Sequence, residues 1–347
     1  MSSAPPRAPD LLRGVPTRAA FLFGLFAAVA SHAQTETAQD RTPEQWLDAM
    51  HQAFHRLGYD GVFMYRGGSG SSMLRIVHLN VDGVTRVRLV HLNGTPREVI
   101  RIGGHVVRMV PPNDETLDVG RSAPVSPWER AVAPSFKAAE RHYRIHIDGE
   151  HRIAGRRAVH IMLRPSDEDR FGHRLWLDRD TGLLLRSELH DADGDSLEEF
   201  QFASLVVGEG IPESALEPEP GEGWIRDPLT DESAEIPATS IPMTPIEWHA
   251  SWVPDGFEMA YAEICDLRGS GEAVTAMMWS DGLAAFHVFV ESATAGNAGG
   301  LVARDGATVM VTHTVRPPKV DTHLVTVVGE VPTTTAWRIA RSVYYQD

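Results

Sequence analysis

Apolar side chains recur at helical spacing over the first ordered stretch of the chain and at strand spacing over most of the remainder. Trp46, Leu47, Met50, Ala53, Phe54 and Leu57 fall on one helical face. Thr42, Pro43 and Gln45 open that helix as a capping box, and Gly58 is placed to end it. The period then changes to two. Tyr143, Ile145 and Ile147 alternate with His142, Arg144 and His146, and Phe200 and Phe202 alternate with Glu199 and Gln201, as half-buried strands do. Asp82-Gly83, Asn93-Gly94, Thr181-Gly182 and Asp193-Gly194 punctuate the strands with hairpin turns. Hairpin after hairpin predicts one large, strongly curved antiparallel sheet. Ser126-Pro127-Trp128-Glu129 interrupts it with a short helical piece that Pro134 stops.

At Ile211 the pattern breaks. Through Ser240 the chain carries eight acidic residues, one basic residue and five prolines, which disfavours regular structure and marks a linker. Beyond it, Ser280-Asp281-Gly282 turns a hairpin between Ala273–Trp279 and Leu283–Glu291. A last helix starts near Pro332 with Ala336, Ile339, Ala340 and Val343 facing inward. Two domains result, at 42–210 and 241–347, joined by the linker 211–240. That fits a length of 347 residues, more than one core usually supports.

The N-terminus adds a destination. Arg13 and Arg18 precede the apolar run Ala19–Ala30, after which Ser31 and Ala33 have the spacing of a signal-peptidase site. Twelve apolar residues make a helix about 18 Å long, too short for a hydrocarbon core of about 30 Å. Residues 1–33 are therefore expected to be a cleaved export signal, with the periplasm as the destination. Its removal takes three Arg and one Asp from 32 basic and 47 acidic residues, leaving a net charge of −17. Such an acidic chain is not built to bind nucleic acid.

No arrangement of residues announces catalysis. Gly67–Ser72 lacks the Gly-Lys-Ser/Thr ending that cradles phosphate. His51 and His55 lie one helical turn apart without the intervening Glu or the third ligand of a zinc site. Asp191, Asp193, Asp195 and Glu198 place their glycine too early for a calcium loop, so a hairpin turn explains them better. The single cysteine, Cys265, closes no internal disulfide and reads as a small buried hydrophobe. No metal or cofactor is expected. Arg75, Arg86, Arg88, Arg97, Arg101 and Arg108 make one stretch locally basic, as an outer strand face or as forks for carboxylate or phosphate. A curved sheet under a helix could also leave an apolar groove, with Trp46, Phe63, Tyr65 and Trp128 as candidate lining.

Several segments in order resemble the RseB/MucB family of regulators of the sigma-E (AlgU) envelope-stress response. The first domain carries Tyr59–Tyr65 (YDGVFMY), Met73–His78 (MLRIVH), Leu92–Arg101 (LNGTPREVIR), Ile153–Arg157 (IAGRR) and Arg174–Leu185 (RLWLDRDTGLLL). The second carries Trp252–Phe257 (WVPDGF), Trp279–Leu283 (WSDGL), Val327–Pro332 (VVGEVP) and Ala336–Val343 (AWRIARSV). The resemblance implies an α+β fold. Its first part is a large antiparallel half-barrel similar to LolA and LolB, and its second is a smaller antiparallel sheet with a C-terminal helix. It also implies a non-enzymatic periplasmic protein that binds an RseA/MucA-like anti-sigma factor, shields it from its site-1 protease, and lets go when lipopolysaccharide or another envelope lipid binds. The smaller domain would carry the anti-sigma contact, with Trp252, Pro254, Gly256, Phe257, Trp279, Asp281 and Gly282 as its motif residues. The larger would sense lipid, with Trp46, Phe63, Tyr65 and Arg88 in the groove. A lipid or lipoprotein carrier, and a metal-dependent hydrolase resting on the histidine pairs, are the competing readings. The oligomeric state is left open.

Overall fold

A computed structural model describes residues 41–68, 70–94, 98–102, 105–110, 141–217, 225–226, 246–265, 273–293 and 299–346. The expected export signal, the helical piece near Ser126–Pro134 and most of the linker 211–240 lie outside these residues.

Helix α1 spans Pro43–Arg56 and opens on the expected capping box: Thr42 Oγ1 accepts from the Gln45 amide, and Gln45 Oε1 accepts from the Thr42 amide. Its end differs from expectation. Leu57 turns extended and leads straight into the next strand, so the helix stops without a left-handed glycine at Gly58. Gly58 is constrained by space instead, since a Cβ there would press on Leu79.

The first sheet has eleven strands. They are β1 (Tyr59–Gly67), β2 (Gly70–Val81), β3 (Val84–His91), β4 (Glu98–Ile102), β5 (His105–Val110), β6 (Tyr143–Ile153), β7 (Arg156–Pro165), β8 (Gly172–Asp178), β9 (Leu184–His190), β10 (Ser196–Val207) and β11 (Ile225–Arg226). The order is β11-β5-β4-β3-β2-β1-β10-β9-β8-β7-β6, with every pair antiparallel. Strand β11 lies inside the stretch expected to be irregular linker and forms the edge of the sheet beside β5. The 3-10 turn Glu213–Leu216 is also docked, setting Leu216 against Val77 and Leu79.

The sheet is curled. Residues of β6 and β10 approach within 8 Å although three strands separate them. At about 4.8 Å per strand a flat sheet would hold them about 19 Å apart. The concave side takes α1. Trp46, Leu47 and Met50 meet Val159, Ile161, Leu163, Leu175 and Leu177, while Ala53 meets Tyr59, Phe63, Leu74 and Phe202. Each of these large side chains contributes about 1.5–3 kcal/mol on burial.

The second sheet runs β13-β14-β15-β18-β17-β16, from β13 (Glu258–Cys265), β14 (Val274–Ser280), β15 (Ala285–Ser292), β16 (Val302–Asp305), β17 (Thr308–Val315) and β18 (His323–Gly329). Helix α2 (Thr333–Ser342) lies on it and buries Ala336, Ile339 and Ala340, the face expected from the sequence. A short ribbon of β12 (Trp248–Ala250) and β19 (Val343–Tyr345) closes one end.

Candidate functional site at the joint between the two sheets

The hairpin between β14 and β15 is built around a side chain. Asp281 Oδ1 accepts from the amides of Leu283 (2.9 Å) and Ala284 (2.7 Å), and Ser280 Oγ accepts from the Gly282 amide at 3.0 Å. Gly282 takes φ +92°, a backbone shape that a side chain would strain. This geometry holds Asp281 Oδ2 outward from its own domain, where Arg170 meets it.

Arg170 comes from the segment between β7 and β8. Its Nη1 donates to Asp281 Oδ2 at 2.6 Å, its Nε to Asp167 Oδ1 at 3.1 Å and its Nη2 to the Asp255 carbonyl at 2.5 Å. The guanidinium lies 5.1 Å from the Phe257 ring and 5.7 Å from that of Tyr143. Neither the Arg170 nor the Asp281 side chain is reached by solvent. Burial pushes the Asp281 pKa up, against the pull of two amides and Arg170. For Arg170 burial acts downward, but Asp281, Tyr143 and Asp167 together outweigh it and raise the pKa. Burial likewise raises the Tyr143 phenol well above its ordinary value.

Further contacts cross the same joint. Glu198 of β10 is buried, with Oε2 accepting from the Tyr65 hydroxyl (2.8 Å) and Oε1 from the Ala307 amide (3.0 Å) in the turn between β16 and β17. Phe171, Leu189 and Leu197 pack on Ala307, and Leu283 enters the cluster of Trp46, Leu47 and Met50. Asp169 accepts from the Thr335 hydroxyl at the start of α2 (2.9 Å). Gly256, at φ +83°, backs onto His142, whose ring occupies the space of a Cβ. His142 is therefore half-buried at the joint, not on an open strand face as its alternation suggested.

The joint gathers four of the motif residues expected to mark the partner-binding surface. Gly256, Phe257, Asp281 and Gly282 build it, and Pro254 is buried beside them. Trp279 is inside the second core, stacked on Phe286 at 5.4 Å. Trp252 stands apart, half-buried under the Arg338 guanidinium at 3.7 Å. Arg170 and Glu198 carry the polar half of the joint; Arg170 is not singled out by the sequence, and Glu198 reads there only as part of a hairpin turn. Both sit in charged stretches, and no periodicity marks a partner more than a hundred residues away.

The four residues expected in a lipid groove do not share a face. Trp46, Phe63 and Tyr65 are all buried on the concave side, Phe63 against Phe200 at 4.8 Å. Register places Phe63 opposite Leu74 and Leu74 opposite His91, so the concave positions of β3 are odd-numbered. Arg88 therefore lies on the convex side. There it is buried in an ion pair with Glu98 and donates to the Ala215 carbonyl at 3.2 Å, which corrects its reading as an open anion-binding fork. The basic stretch is internally matched elsewhere too, with Arg75 forking onto both oxygens of Asp60 at 2.9 and 2.7 Å.

Residues 42–220 match the profile of the MucB/RseB N-terminal domain and residues 243–344 that of the MucB/RseB C-terminal domain. The chain is 31% identical over 299 residues to the sigma factor AlgU regulatory protein MucB of Pseudomonas aeruginosa, covering 86% of this chain and 89% of that one. It is 29% identical over 304 residues to the sigma-E factor regulatory protein RseB of Salmonella typhimurium, covering 86% and 90%. The structure of the Pseudomonas aeruginosa MucA/MucB complex superposes with a TM-score of 0.73 at 30% identity, over 88% of this chain and 99% of that one. MucB in complex with MucA(peri) gives 0.70 at 29% identity, over the same shares. The chain belongs to the MucB/RseB family.

Proposed function

We propose that this chain is a periplasmic regulator acting by occupancy. It covers the periplasmic part of an RseA/MucA-like anti-sigma factor, keeps its site-1 protease away and so restrains a sigma-E-type envelope-stress response. Lipopolysaccharide or another envelope lipid favours release. The observation that carries this reading is the likeness, across both sheets at once, to MucB solved with MucA. Protection by binding is mass action: the cleavable population falls as occupancy rises, and a lipid reverses it only by its differential affinity for free and partner-bound regulator. The joint supports the reading because it fixes the two sheets as one surface.

The test is cleavage of the anti-sigma periplasmic segment by its site-1 protease, alone, with this protein, and with added lipopolysaccharide. Slowed cleavage that lipid restores is expected. Cleavage at an unchanged rate under saturating protein would refute the proposal, and a co-purifying acyl chain without anti-sigma binding would favour a lipid carrier.

A further inference from the structure

Just beyond β3 the chain turns at Asn93-Gly94, both exposed. Two hydrogen bonds latch this turn to β2. The Leu92 amide donates to the Met73 carbonyl at 2.8 Å, and the Met73 amide donates to Asn93 Oδ1 at 2.7 Å. The second bond ends on a side chain, so the Asn93 carboxamide holds a fixed place at the end of the ladder between β2 and β3. Gly94, at φ +79°, has open space where a Cβ would stand, and its amide donates no hydrogen bond among the described residues.

Of the four asparagines in the chain, Asn93 alone is followed by glycine. Asn80, also exposed, is followed by Val81, whose branched side chain crowds the nitrogen. At Asn93 the parts of an acyl transfer stand side by side: an electrophile in Cγ, a nucleophile in the Gly94 nitrogen, and a donor already on the oxygen where charge would gather. Water reaches both residues.

We infer that Asn93 is a site of spontaneous deamidation that releases this latch. Hydroxide removes the Gly94 amide proton, and the nitrogen attacks Asn93 Cγ. The new C–N bond closes a five-membered succinimide as the bond to the side-chain nitrogen breaks, and ammonia leaves with a proton from water, which restores the hydroxide. Water then opens the ring. Attack at Cγ gives aspartate with the main chain as before, whereas attack at the Asn93 main-chain carbonyl gives isoaspartate, whose main chain runs through Cβ and Cγ. The net change is water taken up and ammonia given off, with nothing oxidised or reduced. Isoaspartate carries an added methylene in the main chain and its carboxylate on Cα, so the reach from Leu92 to the Met73 amide no longer fits. This inference does not rest on the anti-sigma reading.

The purified chain is held in mildly alkaline buffer, folded and in guanidinium chloride, and sampled over time. Trypsin releases residues 89–97 as one peptide, which is followed by its mass and by methylation of its isoaspartate with an isoaspartyl methyltransferase. The peptide should gain the mass of hydroxyl in place of amine, faster at higher pH, while the peptide carrying Asn80 gains none. The rate in the folded chain should equal that in the denatured chain or exceed it by up to about fivefold, the worth of one net hydrogen bond on the attacked oxygen. In the isoaspartyl fraction the Met73 amide should exchange hydrogen at least about fivefold faster. Asn93→Gln, whose longer side chain closes no five-membered ring, should show no gain in this peptide. Slower conversion in the folded chain than in the denatured one, an equal gain at Asn80, or unchanged Met73 exchange in the isoaspartyl fraction overturns the proposal.

Discussion

Arg170 and Asp281 stand 111 positions apart in the chain and form an ion pair that water does not reach, one from each sheet. Desolvating two charges is costly, and the hydrogen bonds of Arg170 to Asp167 and Asp255 and of Asp281 to two amides are what offset it. Removing one partner strands the other. Arg170→Met or Asp281→Leu should each lower stability by about 3–5 kcal/mol, whereas Arg170→Met/Asp281→Leu should lose far less than the sum of the two. Urea unfolding of the four proteins gives the coupling energy, and additive losses would mean that the pair is not the fastening.

Glu198 fastens the other edge through the Ala307 amide. Glu198→Ala leaves that amide and the Tyr65 hydroxyl without their acceptor, a loss of about 1–3 kcal/mol for each buried group. The Ala307 amide should exchange hydrogen at least about tenfold faster in the variant, as local opening becomes easier. Unaltered exchange there would show that the turn is held by its apolar contacts alone.

Arg88→Glu should unfold the protein more readily instead of altering any response to lipid. The substitution sets two carboxylates side by side in a buried place beneath the Glu213–Leu216 turn, at a cost of about 3 kcal/mol or more. Exchanging the two residues, Arg88→Glu/Glu98→Arg, should return part of the lost melting temperature. A single variant that melts like the parent would place Arg88 in solvent.

Acid should loosen the region beside the joint. Burial, with His190 nearby, pushes His173 down to about 3, and neither of its ring nitrogens finds a hydrogen-bond partner among the described residues. The unfolded chain binds this proton near the ordinary histidine value of 6.5 and the folded chain does not. The contribution is therefore complete above about pH 6.5 and falls by about 1.4 kcal/mol per pH unit as pH drops toward 3. His173→Phe should flatten that part of the stability profile. A profile with the same slope in both proteins would assign the acid sensitivity elsewhere.

Local rules made much of the fold legible. The capping box at Thr42, the inward face of α2 and the turn at Asp281-Gly282 each depend on residues within a few positions of one another. What the sequence hid is tertiary. Arg88 follows the strand alternation of an outward position, and only the packing of a later segment makes that position buried. Phe257 and Asp281 stood out as motif residues, but the arginine that joins them sits in a polar connection with no pattern to betray it. Strand β11 is two residues long, too short to register against a background of prolines.

None of the side chains described as holding the halves together comes from the peptide between positions 226 and 246. Covalent continuity between positions 226 and 246 is then dispensable for assembly: a cut engineered into that connector should leave two fragments that migrate as one species. The halves expressed as independent polypeptides should likewise find each other without a tether.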